Sequence, residues 1–294
     1  MQNGEKIEIN LDNILGIGGE SLVIRKNHGN GKKAFKIIPL DGEKDETKSI
    51  FQKLQNRVFG KTGESETVST SPPRQKRSNN AQLLSGRGEY ECSGIVHPNV
   101  IRYENVTLDL VNNEVCLIVL MDIYSCTLWQ YLKNFHRQNR NIPMAVRFML
   151  FEKIFSGAKE IQDHGFKHLD LKPGNVLLIT RPDGTWNEDD CVITDFGVGG
   201  LHDQETGLAG TPGFASPEQL IGPSHRKSDN FSFGKLMVMV FCNWPTSWNL
   251  LFRPITENER NQIRFNQRFM HVVRELLKVK KSQNIFLYFS KLLF

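Results

Sequence analysis

The chain has 294 residues, 39% of them apolar, and its 37 Lys+Arg against 32 Asp+Glu give a net charge of +5. That length supports one large or two small domains with real cores, and the near-average composition excludes collagen-like, low-complexity and wholly disordered architectures. Five scattered cysteines with no C-x-x-C pair (Cys92, Cys116, Cys126, Cys191 and Cys242) exclude a disulfide framework and a cysteine zinc site.

The opening MQNGEKIEIN carries no apolar signal core, and the longest apolar run, residues 236–242, is far short of the roughly 20 that span a bilayer. The expectation is a soluble intracellular protein, cytoplasmic, with no transmembrane segment. Charge is unevenly placed. Segments 1–40 and 41–88 carry +2 and +3, segment 89–252 carries −6, and the last 42 residues carry nine bases against three acids. A basic end suits an acidic partner, although a solvated face is the commoner reason for one.

Taken in chain order, residues 6–15 alternate Ile7, Ile9 and Leu11 with polar neighbours, the period of a half-buried strand. Two further strands are expected at 21–26 and 33–40, separated by the turn-like Asn27-His28-Gly29-Asn30-Gly31. Segment 41–88 is polar and Ser-, Lys- and Glu-rich, and reads as a flexible insertion. Apolar periodicity resumes near Glu89, and residues 114–121 form a strongly β-prone run. Met144, Phe148, Phe151, Phe155, Ala158 and Ile161 then recur at helical spacing behind Pro143. Strands come first and helices later, which fits two lobes with a hinge near residue 123.

Three clusters carry chemistry. Gly16-Ile17-Gly18-Gly19-Glu20-Ser21-Leu22-Val23 lies between two expected strands. Such glycines let backbone amides approach a phosphate, and they equally suit a plain hairpin. In Ala34-Phe35-Lys36 one lysine interrupts an apolar strand and needs an anionic partner if it is buried. The strongest cluster is His168-Leu169-Asp170-Leu171-Lys172-Pro173-Gly174-Asn175, followed twenty residues later by Asp195-Phe196-Gly197. Two carboxylates and an amide are oxygen ligands for a hard cation such as Mg²⁺, and the lysine sets positive charge where a transferring phosphoryl develops negative charge.

In this order the clusters resemble the eukaryotic protein kinases: the Gly-rich loop, the strand lysine, an H-x-D-x-K-x-x-N catalytic loop and D-F-G. Residues 210–218, ending Ala215-Ser216-Pro217-Glu218, are similar to the close of an activation segment, and Asp229-Asn230-Phe231-Ser232-Phe233-Gly234 looks like the buried turn that anchors the catalytic loop. Within the family, residues 97–103 and Cys126-Thr127-Leu128 with Tyr131 look most like the kinase domain of the unfolded-protein-response sensors. The resemblance implies an α+β, two-lobed kinase fold. Residues 1–123 would form a small antiparallel β-rich N-lobe carrying the insertion 41–88, and residues 124–294 a mainly helical C-lobe, atypical or shortened after about 250.

The resemblance also implies roles. Lys36 would hold ATP phosphates and pair with Glu89, or alternatively Glu91. Gly16 and Gly18 would lie against the phosphates, and Val23, Ala34 and Leu177 would sandwich adenine. Met121 would be the gatekeeper before a hinge running from Asp122 to Tyr124. Asp170 would take or orient the substrate hydroxyl's proton, Lys172 would steady the γ-phosphate, and Asn175 and Asp195 would bind Mg²⁺. The implied activity is γ-phosphate transfer from Mg-ATP to Ser/Thr hydroxyls of protein substrates, with no nucleic acid as partner. A catalytically silent scaffold and a small-molecule phosphotransferase are the competing readings.

Four departures from the family pattern stand out. Ser21 replaces the third glycine, which a small residue tolerates, and Leu22 replaces an aromatic that covers the phosphates, a place Leu22 is expected still to fill. Leu169 replaces the arginine that receives an activation-loop phosphate on residues such as Thr206 or Thr211. Glu89 lies one residue nearer His97-Pro98 than usual. Only Arg253 or Arg274 offers itself as the partner of Glu218, in a basic C-terminal segment that ends on Phe286, Phe289, Leu292, Leu293 and Phe294.

Overall fold

The computed structural model describes residues 9, 11–18, 21–29, 31–40, 87–111, 114–180, 186–202, 210–222, 224–225 and 227–241. The chain divides into two compact units: one of Met1–Val96 and Ile101–Ile123, the other of His97–Val100 and Tyr124–Phe294.

The first unit is built on a five-stranded antiparallel sheet of order β1-β2-β3-β5-β4, with β1 Ile14–Ile17, β2 Leu22–His28, β3 Gly31–Pro39, β4 Tyr103–Val111 and β5 Glu114–Met121. Strand periodicity separates its two faces. Leu22, Ile24, Phe35, Ile37, Cys116, Ile118 and Leu120 make one buried cluster, against which Ile9, Ile14, Ile17 and Val111 pack. Burying each large apolar side chain of that kind contributes about 1.5–3 kcal/mol. The intervening β3 residues Ala34, Lys36 and Ile38 belong to the opposite face and are buried as well, so β3 is covered on both sides. The β2–β3 hairpin turns through Gly29 at φ +55°, a conformation that glycine adopts without a Cβ clash.

Two expectations need correction here. The alternating segment 6–15 is not one strand: Leu11–Asn13 form a 3₁₀ turn and the strand begins at Ile14. Ile9 packs against the core from outside the sheet, partly buried without strand pairing. The segment read as insertion ends earlier than residue 88, because α1 spans Arg87–Cys92 and buries Gly88, Glu89 and Cys92. Residues 41–86 lie outside the described residues.

In the second unit, α2 (Leu128–Arg137) starts at Thr127, whose hydroxyl accepts the Gln130 N–H at 3.1 Å while the Gln130 side chain accepts the Thr127 N–H at 2.8 Å. This reciprocal cap satisfies two otherwise orphaned donors. The long helix α3 (Met144–Asp163) buries Arg147, Leu150, Phe151, Ile154, Gly157 and Ile161. That face is rotated from the expected stripe: Met144, Phe148, Phe155 and Ala158 are only half-buried. The rotation has a local cause at Gly157, where a Cβ would collide with the Asn99 carbonyl. The helix therefore turns its one glycine toward residues 97–100, where it faces the Asn99 carbonyl.

Those four residues belong to the second unit, which corrects the expectation that residues 1–123 form a contiguous lobe. Asn99 bonds the strand β9 (Trp186–Ile193) twice: its side-chain amide donates to Cys191 O at 3.0 Å and its carbonyl accepts the Ile193 N–H at 3.0 Å. The His97 Nδ1 accepts the Asn99 N–H at 3.0 Å and so fixes this turn. With β6 (Cys126–Thr127) and β8 (Val176–Thr180), β9 makes a three-stranded sheet, and β7 (Phe166–Lys167) pairs with β10 (Gly200–Leu201).

Two further helices complete the described unit, α4 (Pro217–Ile221) and α5 (Ser228–Phe241). Phe151 and Phe155 of α3 pack on Phe233 of α5, with ring centroids 5.8 Å apart in each case. The buried Arg147 guanidinium donates to the Val240 and Phe241 carbonyls at the end of α5, where backbone acceptors lack intrahelical partners. Residues 229–234 thus open a helix rather than forming the expected turn.

Candidate active site

In the first unit, β3 carries Lys36 inward. Its ammonium donates to Glu89 Oε1 of α1 at 2.7 Å, with side-chain exposures of 7% and 0%. Glu91, the alternative acid, instead pairs with Arg87 one helical turn earlier. A buried ion pair costs desolvation of both charges and contributes little net stability, so its placement in a strand that is otherwise apolar points to a functional constraint. Around it, Val23 stands opposite Lys36 across β2–β3, and Ala34 stands opposite Met121 across β3–β5. The Gly18 N–H donates to Ser21 O at 2.7 Å and closes the turn after β1, which contains Gly16. Asp122 is exposed, and its carboxylate accepts Lys33 at 2.7 Å. Leu22 corrects an expectation: it is buried in the sheet cluster, because its place in β2 turns it to the core face, and it does not stand over a phosphate site.

In the second unit the catalytic-loop residues converge. Lys172 Nζ donates to Asp170 Oδ2 at 2.8 Å and to Thr211 Oγ1 at 2.7 Å, and the Thr211 hydroxyl donates to Asp170 Oδ1 at 2.6 Å. Asn175 Nδ2 donates to the Asp170 carbonyl at 2.9 Å and to Asp170 Oδ2 at 3.1 Å. Both amide hydrogens are so committed, which leaves the Asn175 carbonyl oxygen as the atom able to ligate a cation. Thr211 was expected only as a phosphorylation candidate. No spacing rule joins it to a carboxylate 41 residues earlier.

Backbone bonds hold this loop in place. The Asp170 N–H donates to His168 Nδ1 at 3.2 Å, so His168 Nε2 is the donor to Thr194 O at 3.0 Å. The Thr194 N–H donates in turn to Asn175 O at 3.0 Å. Asp195, the next residue, is thereby carried against the loop, at φ +71°. His168 is a connector, and its ring also packs on Phe196 at 5.2 Å. Beneath the loop, the Asp229 carboxylate accepts the His168 N–H at 2.8 Å and the Leu169 N–H at 2.7 Å. Burial pushes the Asp229 carboxyl above its ordinary value, and neighbouring His168 with the two backbone donors opposes that rise.

Leu177 on β8 and Tyr124 at the start of the unit are half-buried. Glu218 accepts the Ser228 hydroxyl at 3.2 Å. Burial acts to raise its carboxyl, but its own backbone N–H, the Ser216 and Ser228 side chains and nearby His225 outweigh that and hold it below the usual carboxylate value. Its expected partners, Arg253 and Arg274, lie outside the described residues, as do Thr206 and the basic end. Cys191 is inert as a nucleophile, since burial pushes its thiol up to about 12. Among the described residues there is no cluster of three His, Cys, Asp or Glu side chains fit for a metal, and no helix is long and apolar enough to cross a membrane.

The protein-kinase-domain family model matches residues 73–291, about three quarters of the sequence. The chain belongs to the protein kinase family. The match begins after β3, so the glycine loop and Lys36 rest on the geometry above. The chain is 33% identical over 99 residues to serine/threonine-protein kinase PTK2 of Candida glabrata, covering 30% of this chain and 12% of that protein. It is 34% identical over 101 residues to the calcium/calmodulin-dependent protein kinase cmkB of Emericella nidulans, covering 32% and 24%. Against the putative L-type lectin-domain containing receptor kinase V.1 of Arabidopsis thaliana it is 30% identical over 157 residues, covering 50% and 22%. The chain thus spans at most a quarter of the length of these relatives. The kinase fold class is shown, with a five-stranded antiparallel sheet in one unit and helices in the other.

Proposed function

We propose that this kinase is an active serine/threonine protein kinase that uses Mg-ATP. The observation that carries the reading is the Asp170 carboxylate, steadied by Lys172 and already accepting a threonine hydroxyl at 2.6 Å. A carboxylate that takes a hydrogen bond from one aliphatic hydroxyl is built to take one from an acceptor serine or threonine.

The donor set fits the implied cofactor. Asn175 and Asp195 offer hard oxygen ligands for Mg²⁺, and the orientation of the Asn175 amide frees its oxygen for that purpose. When bound, Mg-ATP supplies the phosphoryl group and the charge that neutralises it. Lys36, aimed by its ion pair with Glu89, would bind phosphate oxygens. Gly16 and Gly18 would let backbone amides come near, and the family resemblance assigns nucleoside contacts to Val23, Ala34, Met121 and Asp122 in the first unit and to Tyr124 and Leu177 in the second. Asp170 orients the substrate hydroxyl and holds its proton, while Lys172 sets positive charge beside the transferring group. Residues 210–218, with Thr211 in the catalytic network, support a protein substrate rather than a small alcohol.

The test is Mg²⁺-dependent incorporation of γ-phosphate into the chain itself or into a generic basic protein, with Asp170→Asn as control. Transfer should fall at least about a hundred-fold in the variant, the lower range for loss of a general base. Equal incorporation by both proteins would sink the enzyme reading and leave a nucleotide-binding or scaffold role for the fold.

A further inference from the structure

The residue before Asp170 is held in an unfavourable conformation. Leu169 sits at φ +63°, in the left-handed region that a branched apolar residue seldom enters, and its side chain is fully buried. Such a backbone persists where its surroundings over-determine it. Its N–H is held by Asp229 Oδ1 at 2.7 Å. Its carbonyl accepts Gln219 Nε2 of α4 at 2.9 Å, in a fully buried bond.

That carbonyl and the Asp170 N–H are the two ends of one planar peptide unit. The N–H end is bonded to His168 Nδ1 at 3.2 Å and the C=O end to Gln219. Together they set the rotation of the peptide plane from which the Asp170 side chain springs. Gln219 Oε1 also accepts the Ser216 N–H at 3.1 Å, and a flipped amide would lose both bonds, so its orientation is determined. Gly210, at φ +94°, closes over the junction: a Cβ there would lie 2.6 Å from Leu169 O and 3.0 Å from Gln219 Nε2. The next residue, Thr211, bonds Asp170 itself.

We propose that Gln219 is a positioning residue for Asp170, tying the catalytic loop to the segment 210–218 through the Leu169 carbonyl. The proposal rests on the kinase reading above. A residue that only capped α4 would need its Oε1 and not its Nε2, which separates the two roles. Gln219→Glu keeps the acceptor for Ser216 and removes the donor to Leu169. Gln219→Met keeps the volume and removes both.

The experiment measures kcat and KM for ATP and for a peptide substrate, with nucleotide affinity and unfolding midpoint, from mildly acidic to mildly alkaline pH. In Gln219→Met, kcat should fall about ten- to hundred-fold, the cost of misplacing a reacting group, with KM for ATP near that of wild type. Gln219→Glu should lose as much at neutral pH, and its activity relative to wild type should climb as pH falls and the protonated carboxyl regains an O–H donor. Full activity of Gln219→Glu at neutral pH, or a ratio flat with pH, overturns the proposal. Failure of both variants to fold also overturns it, by assigning Gln219 to stability. An inactive wild type defeats the kinase reading instead, so the two failures are distinguishable.

Discussion

At the residue scale, Lys36 shows how a local pattern becomes a chemical commitment. Strand alternation alone turns it off the Phe35–Ile37 face and into the covered side of β3, where an ammonium without a carboxylate would be expensive. Glu89 meets it there, fully buried. Lys36→Met should abolish phosphate transfer and also destabilise the first unit by about 3–5 kcal/mol, because a buried charge loses its partner. Chemical denaturation checks this, and adding Glu89→Gln should restore much of the stability while leaving transfer absent. Full recovery of transfer in the double variant would contradict the role given to Lys36. The need for an acid was legible from Ala34-Phe35-Lys36. The choice of Glu89 over Glu91 was not, since it depends on which face α1 turns to the sheet.

At the scale of elements, strands were the most legible and helix faces the least. The β-prone run at 114–121 coincides with β5, whose apolar content serves both faces. For α3 the boundaries agreed with the spacing behind Pro143, but the buried face did not, because the carbonyl of Asn99 admits only a glycine. Gly157→Ala should therefore destabilise the second unit by about 1–3 kcal/mol, the usual cost of forcing a methyl into a filled site. Alanine normally favours a helix over glycine, so a thermal midpoint unchanged or raised would refute the close approach. The Thr127–Gln130 cap that starts α2 became evident only with the structure. Segment 6–15 agreed only in part: Leu11–Asn13 form a 3₁₀ turn, and the strand starts at Ile14, where β1 pairs with β2.

At the scale of the whole molecule, the arrangement bears on switching. In the family pattern an arginine beside the catalytic aspartate takes up an activation-loop phosphate. Leu169 stands in its place, buried without exposure and unable to bind an anion. Asp229 and Gln219 already hold the loop backbone. Protein treated with phosphatase should therefore transfer phosphate at nearly the rate of untreated protein, measured on one peptide under matched conditions. Loss of activity on dephosphorylation, restored by rephosphorylation, would refute this.

The sequence by itself determined the chemical inventory: an inward lysine, a loop with Asp170, Lys172 and Asn175, a following Asp195, and a strand-to-helix order that needs two cores. Those features are local, and periodicity or short spacing carries them. Only the tertiary structure decided which groups meet. Thr211 lies 41 residues beyond Asp170, Gln219 lies 50 beyond Leu169, and Asp229 lies 60 beyond it, yet all three bond that loop. Gln219 comes from α4, Asp229 from α5 and Thr211 from the segment before α4, and one-dimensional spacing does not encode how these are brought to one loop.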